Sequence, residues 1–175
     1  MSVKHGLLAL LVEGPRYGYE LKSGFEARTG DTWPLNVGQV YTTLARLERD
    51  GLVAKDGEDA EGHVLYRATP TGLREVQDWW DQAVEREAPA RDELAIKLAL
   101  AVGLPDVDPR DVVQRQRTAT VRALQRHTRR RNALPAGDTA AALVLDALVF
   151  AAEAEVRWLD HCEARLVRSR NGAPR

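Results

Sequence analysis

The sequence has little cysteine, few aromatic residues and no long apolar run, and each scarcity excludes a class of protein. Cys162 is the only cysteine in 175 residues, so an intramolecular disulfide and a multi-cysteine zinc site are both excluded. No stretch of about 20 residues is free of charge, so no membrane span is expected. The apolar run Gly6–Val12 lacks a small-residue cleavage site and does not predict a signal peptide. We therefore expect a cytoplasmic protein.

Catalytic and phosphate-binding motifs are also missing. The sequence contains no Gly-x-Ser-x-Gly, no phosphate-binding glycine loop and no histidine pair at metal-ligand spacing. His161 and Cys162 are neighbours, and neighbours on a helix point about 100° apart, so they cannot act together as base and nucleophile. We expect no enzymatic activity, no metal and no cofactor.

A net charge of −1 conceals an asymmetry between the two halves of the chain. Residues 1–88 hold ten Lys/Arg and 15 Asp/Glu, whereas residues 89–175 hold 15 and 11. The halves also differ in predicted structure. We therefore expect a first domain over residues 1–88 and a second over residues 89–175.

The first half predicts three helices, a β-hairpin and a fourth helix. Asn36 is a good N-cap for the third helix, and Thr71 is the expected N-cap of the fourth. The hairpin is predicted from two short strands that flank a polar, glycine-containing loop. This order of elements is typical of a winged helix-turn-helix.

Apolar residues recur at spacings of 3, 4 and 3 in the third and fourth helices, which predicts one buried face on each. On the third helix these residues are Val37, Val40, Leu44 and Leu47. On the fourth they are Leu73, Val76, Trp80 and Ala83.

The opposite face of the third helix carries the side chains that suit DNA. Gln39, Thr42 and Arg46 can hydrogen-bond to base edges or phosphates, and the first half of this face has no acid. We interpret the third helix as a recognition helix. A solvated helix face is the alternative, although such a face usually carries more Glu and Lys.

The hairpin would form the wing. Lys55 and Arg67 flank it and His63 lies near its tip, where each could meet a phosphate. The loop also holds four carboxylates, which a phosphate backbone would repel, namely Asp56, Glu58, Asp59 and Glu61. We expect the tip to point away from DNA, or only the base of the wing to touch it.

The second half predicts helices alone. The last one is predicted to run for roughly 30 residues, about 45 Å at 1.5 Å per residue. Its apolar residues extend over more than one seam, which indicates a dimerisation element. The predicted interface residues are Leu145, Leu148, Ala152, Leu159 and Leu166. The fold class is therefore mainly α with a small β-hairpin, a winged helix-turn-helix followed by a helical dimerisation domain.

Several segments together resemble the PadR family of transcriptional regulators. They are Leu7–Leu11, Gly14, Tyr17-Gly18-Tyr19-Glu20-Leu21, Gly38–Leu52 and Tyr66–Gly72. The second half resembles the longer subgroup of that family in length and layout. The resemblance implies a homodimeric winged-helix repressor whose C-terminal helices form the dimer interface. It also implies DNA contacts from Tyr19 and the start of the third helix, and usually a more basic wing than this one.

From the residues and the resemblance together, we predict eleven DNA-binding residues. They are Tyr19, Asn36, Gln39, Tyr41, Thr42, Thr43, Arg46, Arg49, Lys55, His63 and Arg67. Tyr17 is expected to pack rather than bind, and Gly72 is expected to serve a turn.

The resemblance also implies a ligand input, since the family includes members that respond to phenolic acids and hydrophobic drugs. Trp80 lies on the predicted buried stripe and is expected to be a core residue. Trp79 and Trp158 lie off the main seams and are the candidate effector contacts.

The sequence thus predicts a homodimeric repressor that binds a pseudo-palindromic operator and is released by a small hydrophobic or aromatic effector. Its predicted partners are double-stranded DNA, a second copy of the chain and that effector, with no membrane. The alternative is a winged-helix protein-interaction module without DNA binding, which the acidic first half and the acidic wing favour.

Overall fold

A computed structural model describes residues 3–84 and 91–171, with side chains as far as Arg168. The described residues form seven helices and one two-stranded antiparallel sheet, which confirms the predicted fold class of mainly α with a small β-hairpin. In chain order they are α1 (Val3–Leu10), α2 (Gly18–Arg28), α3 (Val37–Arg49), β1 (Val53–Glu58), β2 (Val64–Ala68), α4 (Pro70–Asp81), α5 (Glu93–Gly103), α6 (Pro109–Asn132) and α7 (Thr139–Asn171). The chain divides into two compact units, residues 1–85 and 86–175.

The N-terminal unit is a winged helix built around leucines. Helices α1, α2 and α3 enclose a core that the hairpin and α4 complete, and its fully buried members include Leu7, Leu21 and Leu44. The predicted buried stripe of α3 is confirmed at Val40 and in the two turns that follow it. Val37 is 40% exposed, so its predicted burial is wrong. The stripe reaches the core one turn into the helix, because the first turn extends beyond it.

The wing has a third, very short strand at its base. Strands β1 and β2 pair antiparallel, with Val53 opposite Ala68, and the register is irregular between Lys55 and Glu58. Arg16 and Tyr66 exchange two backbone hydrogen bonds of 3.0 Å. This bridge pairs the backbone of β2 on its other side, which fixes the hairpin to the segment before α2.

Helix α4 buries a different face from the one predicted. Its N-cap is Thr69, whose Oγ1 accepts a hydrogen bond from the Gly72 amide at 3.1 Å, and not Thr71. Gly72 and Val76 are the buried residues, whereas Leu73 is 45% exposed and Trp80 62% exposed. The prediction that Trp80 is a core residue is therefore wrong, because α4 lies against the core with its glycine face.

A carboxylate joins α1 to α4. Glu75 Oε1 accepts a hydrogen bond from Lys4 Nζ at 2.7 Å and lies 3.1 Å from His5 Nε2. The Lys4 hydrogen bond, followed by that of His5, lowers the pKa of Glu75 from its ordinary value of 4.5. One ionised side chain thus ties the start of α1 to the middle of α4.

This pair of contacts predicts a pH-dependent stability. A carboxylate whose pKa is lower in the folded state stabilises the fold above its unfolded pKa, and that contribution is lost as the pH falls through the folded value. Wild type should therefore melt at a higher temperature than Glu75→Gln at pH 7, and the difference should shrink below pH 4.5. Calorimetry at pH 7 and in acid measures it. Glu58→Gln, an exposed position on the wing, is the matched control, and an equal gap at both pH values would contradict the prediction.

The C-terminal unit is a long helical hairpin with a third helix beside it. Helices α6 and α7 pack along each other, and α5 packs against α6 around Leu98, Val113 and Leu159. A polar contact interrupts the apolar seam where Gln116 Nε2 donates to Glu155 Oε1 at 2.8 Å, and the buried Thr120 hydroxyl donates to the same oxygen. In the ranges that the structure describes, no helix has both the length and the apolar content needed to cross a bilayer.

Candidate nucleic-acid interface

Helix α3 presents a polar face to solvent, and its opposite, apolar face is held in the core. Asn36 Oδ1 accepts a hydrogen bond from the Gly38 amide at 2.8 Å, so this side chain caps the helix. Its own contact with DNA, which the sequence predicted, would have to come from the amide nitrogen or from a second lone pair. Because the cap and the buried leucines orient the helix, its outward side chains project at fixed positions.

The hydroxyls on α3 are already partly engaged. Thr42 Oγ1 donates to the Gly38 carbonyl and Thr43 Oγ1 donates to the Gln39 carbonyl, both at 2.8 Å. Each hydroxyl has used its proton within the helix, so toward a ligand it is an acceptor. Thr42 is exposed and Thr43 half-buried. These two residues therefore suit base amino groups better than phosphates.

The arginines on α3 differ in freedom. Arg49 is 74% exposed in its side chain and pairs with Asp50, with 2.9 Å between Nη2 and Oδ1. Arg46 is exposed and lines a groove of about 330 Å³ between α1 and α3, together with Gln39, Thr43 and Lys4. Lys4 is a residue that sequence reasoning missed. The only signal for it was its place at the start of an amphipathic helix, and Arg46, which lines the same groove, lies 42 positions away in the chain.

Tyr41 packs its ring against the helix that precedes α3. A Cβ on Gly18 would lie 2.7 Å from Tyr41 Cζ, so the ring rests directly on the start of α2. The residue stays 43% exposed. Tyr41 thus joins the two helices of the helix-turn-helix and still presents surface for a contact.

The other two tyrosines have different surroundings. Tyr19 is 55% exposed, with Lys22 Nζ 5.8 Å from its ring centroid. Tyr17 packs, but on the wing, where its ring stacks on His63 at 4.5 Å between centroids. Burial, followed by the nearby carboxylates of Glu20 and Asp59, raises the pKa of Tyr17. Tyr19 is the tyrosine of α2 that is open to a ligand.

The cations of the wing are paired with acids. Arg67 Nε lies 3.0 Å from Asp56 Oδ1, and Lys55 Nζ lies 3.7 Å from Glu48 Oε1. His63 Nδ1 lies 2.8 Å from Asp59 Oδ2. All three predicted wing contacts are exposed, yet each faces a carboxylate, so the wing is not a basic surface.

The wing tip also groups three side chains that could ligate a cation. Single ligand atoms of Asp59, Glu61 and His63 lie within 4.8 Å of one another. Asp59 Oδ1 accepts from the amides of His63 at 2.7 Å and of Glu61 at 3.0 Å. Although burial opposes it, the hydrogen bonds from His63 lower the pKa of Asp59. These turn contacts account for the grouping without a metal.

The residues predicted for the dimer interface lie on the inner face of α7. Leu145 is 1% exposed and Leu159 is 0% exposed within a single chain, so neither side chain has surface left for a partner. Leu148 and Ala152 are half-buried on the same face, as is Leu166, which packs on the α5–α7 core. The prediction is therefore wrong for Leu145 and Leu159, because α6 folds back along α7 and covers that stripe.

The outer face of α7 is apolar as well. Its large residues are Leu143, 67% exposed, Phe150, 65% exposed, and Trp158, 37% exposed. Exposed alanines lie between them at helical spacing, at 147, 151 and 154. A second apolar face does exist on this helix, on the side opposite to the predicted residues.

The two candidate effector contacts lie in different units. Trp79 is half-buried on α4, where its ring stacks on His5 with 5.3 Å between centroids and contacts Trp80 at 4.3 Å. Trp158 lies on the outer face of α7. The two rings therefore lie in separate surroundings, and the stacking on His5 gives Trp79 a structural role.

Two family models match the chain, one for each unit. The model described as "Transcriptional regulator PadR-like family" matches residues 7–78. The model described as "Virulence activator alpha C-term" matches residues 90–167. Together they cover the winged helix and the helical hairpin.

A curated relative is similar to this chain over about half of its length. The negative transcriptional regulator PadR of Bacillus subtilis is 27% identical over 99 residues, which are 54% of this chain and 54% of the relative. The match therefore spans about half the length of that relative.

Solved structures share the fold over nearly the whole chain. Bacillus subtilis PadR in complex with operator DNA has a TM-score of 0.68 at 22% identity and covers 93% of this chain and 97% of its own. The same protein in complex with p-coumaric acid has a TM-score of 0.72 at 22% identity, with the same coverage. The Vibrio cholerae virulence activator AphA has a TM-score of 0.70 at 22% identity and covers 96% and 99%.

Proposed function

Because the chain belongs to the PadR-like family of transcriptional regulators, we propose that it acts as a homodimeric repressor that reads an operator through α3. The observation that carries the proposal is the outward face of α3, where Gln39, Thr42 and Arg46 are exposed on a helix whose back is fixed in the core. A similar protein has been solved with operator DNA. A helix of this kind fits the major groove, where donor and acceptor patterns differ for each base pair.

In the proposed complex, two copies of α3 enter successive major grooves of a pseudo-palindromic site. Gln39, Thr42, Thr43 and Arg46 read base edges, while Tyr19, Tyr41 and Arg49 position the helix on the backbone. Lys4 lines the same groove as Arg46, but it is paired with Glu75 at 2.7 Å and would contact a phosphate only in place of that carboxylate. The paired cations Lys55 and Arg67 contribute little unless the phosphates displace their carboxylates.

The same comparison supports the proposal of repression and release. The relative from Bacillus subtilis carries the name of a negative regulator, and a similar structure holds p-coumaric acid. A small hydrophobic or aromatic effector would release the operator by favouring a dimer geometry whose recognition helices no longer match the groove spacing. Trp79 in the first unit and Trp158 in the second remain the proposed contacts, as two separate candidates.

Arg46→Ala tests the reading role of α3. A bidentate arginine–guanine contact is worth about 1–3 kcal/mol, so operator affinity should fall by about 10- to 100-fold. Fluorescence anisotropy on the DNA upstream of the gene, against a scrambled duplex over a salt series, measures it. Arg74→Ala is the control, since Arg74 is an exposed arginine of the same domain on α4. Equal operator affinities of the two variants would mean that α3 does not read the operator.

The acidic first half and the paired wing cations favour a second function, a winged-helix module that binds a protein partner. Its prediction is distinct. The wild-type chain would then bind operator and scrambled DNA equally weakly at every salt concentration, and Arg46→Ala would change neither.

A further inference from the structure

An apolar cavity lies inside the C-terminal unit, apart from every residue assigned above to DNA. It has a volume of about 300 Å³ and lies where α5, the first residue of α6 and the last turns of α7 meet. That volume falls at the lower end of the range for small-molecule sites. A compact ligand would therefore fill it.

The wall of this cavity is aliphatic. Leu98, Val102, Pro109 and Leu166 form most of it, and no aromatic ring lines it. Cys162 completes the wall, and burial, against the opposing effect of Arg165, raises the pKa of its thiol, which is thus neutral. Without a ring to stack on, the wall offers a flat aromatic ligand no advantage over an alkyl chain.

The mouth of the cavity is cationic. Arg165 lines it and is exposed, and an adjoining groove shares Val102, Pro109 and Leu166 and adds Arg110. Neither guanidinium forms an ion pair with any residue that the structure describes. The acid beside them, Asp108, accepts the Arg110 amide at 2.8 Å as the cap of α6. Because two guanidinium groups and only one carboxylate lie at the mouth, the cavity favours an anionic ligand.

We propose that this cavity binds a small amphipathic carboxylate with an aliphatic chain of medium length. The chain lies against Leu98, Val102 and Leu166, and the carboxylate pairs with Arg165. This site is separate from Trp79 and Trp158. Binding itself does not depend on the proposed function, and only its effect on the operator rests on that function.

Cys162 makes the site measurable, because it is the only thiol in the chain. The rate at which N-ethylmaleimide labels the full-length protein reports access to the cavity wall. Sodium octanoate should slow the labelling at least about fivefold at saturation, and more strongly than 4-hydroxycinnamate at equal concentration. The neutral probe 1-octanol should protect at higher concentration.

Two variants separate the charge from the cavity. Arg165→Gln should raise the octanoate concentration for half-protection by about tenfold or more, the loss expected for a charge-assisted hydrogen bond, and leave 1-octanol unchanged. Arg168→Gln, one turn further along α7, should change neither probe. Ala99→Trp should fill the cavity and abolish protection by both.

The proposal is overturned if octanoate gives no protection, if Arg165→Gln binds octanoate as wild type does, or if 4-hydroxycinnamate protects better. It is also overturned if Cys162 reacts in urea but not in the native protein without ligand, since a second copy then covers the cavity. Operator binding is measured in parallel. Protection of Cys162 with unchanged operator affinity supports the site and removes only its role in release.

Discussion

Replacing Gly72 by alanine is expected to destabilise the N-terminal unit by about 3 kcal/mol or more, at the upper end of overpacking effects. An added Cβ would lie 2.0 Å from the carbonyl oxygen of Leu52 and 3.0 Å from its carbonyl carbon. Both are backbone atoms, and they cannot rotate away as a side chain can. The same carbonyl accepts the Thr69 amide at 3.0 Å, and the Leu52 amide donates to Leu47 at 2.8 Å. Moving Leu52 would therefore loosen the joint between α3, β1 and α4.

Urea unfolding followed by tryptophan fluorescence measures this effect, since three of the four tryptophans, at 33, 79 and 80, lie in residues 1–85. Gly24→Ala is the matched control. It lies inside α2, where the nearest atom to an added Cβ is 3.5 Å away, so alanine should stabilise the helix by up to about 1 kcal/mol. If Gly72→Ala unfolds at the wild-type midpoint, α4 is able to retreat from Leu52 at little cost.

Gly72 also explains why α4 was mispredicted. Apolar periodicity counts side chains, and it therefore centred the buried face on Leu73, Val76 and Trp80. The helix instead approaches the core through a residue without a side chain, which turns Trp80 outward. The sequence-based expectation that Gly72 serves a turn was incorrect, because its backbone is helical and its role is close approach.

Helix α7 shows a different limit of the sequence. Both of its faces are apolar, so periodicity established the helix but could not tell which face the chain itself would cover. Helix α6 determines which face is covered. It follows α5 and precedes α7 by a short loop, and its residues Gln116 and Thr120 donate hydrogen bonds to Glu155 of α7. By contrast, α3 has one apolar face only, and its orientation followed from the sequence.

The candidate DNA site was predictable residue by residue but not pair by pair. Exposure of Gln39, Thr42 and Arg46 follows from helical rotation alone. The pairing of Arg67 with Asp56 across the hairpin depends on the register of the two strands. The sequence did not predict the irregularity of that register between Lys55 and Glu58. The composition showed that the wing has little basic character. It did not show that each cation of the wing is paired with a carboxylate.

The second large effect is expected from Phe150→Glu, which should convert the proposed dimer to a monomer. Phe150 lies on the outer face of α7 between Leu143 and Trp158, and a soluble monomer rarely leaves such a continuous apolar face uncovered. In a symmetric interface the substitution buries two carboxylates without partners, and each costs several kcal/mol. Light scattering after size-exclusion chromatography at micromolar concentration measures the change.

The fold should survive this substitution, because the side chain is 65% exposed within one chain. Helical content by circular dichroism should therefore match wild type while the mass halves. Ala136→Glu places the same charge in the exposed loop between α6 and α7 and should leave the dimer intact. In the proposed complex two linked recognition helices bind one operator, so the monomer should also lose most of its operator affinity although α3 is unchanged. A dimeric Phe150→Glu protein would exclude the outer face of α7 as the interface. With Leu145 and Leu159 already buried within the chain, the contact would then have to be made without α7 at its centre.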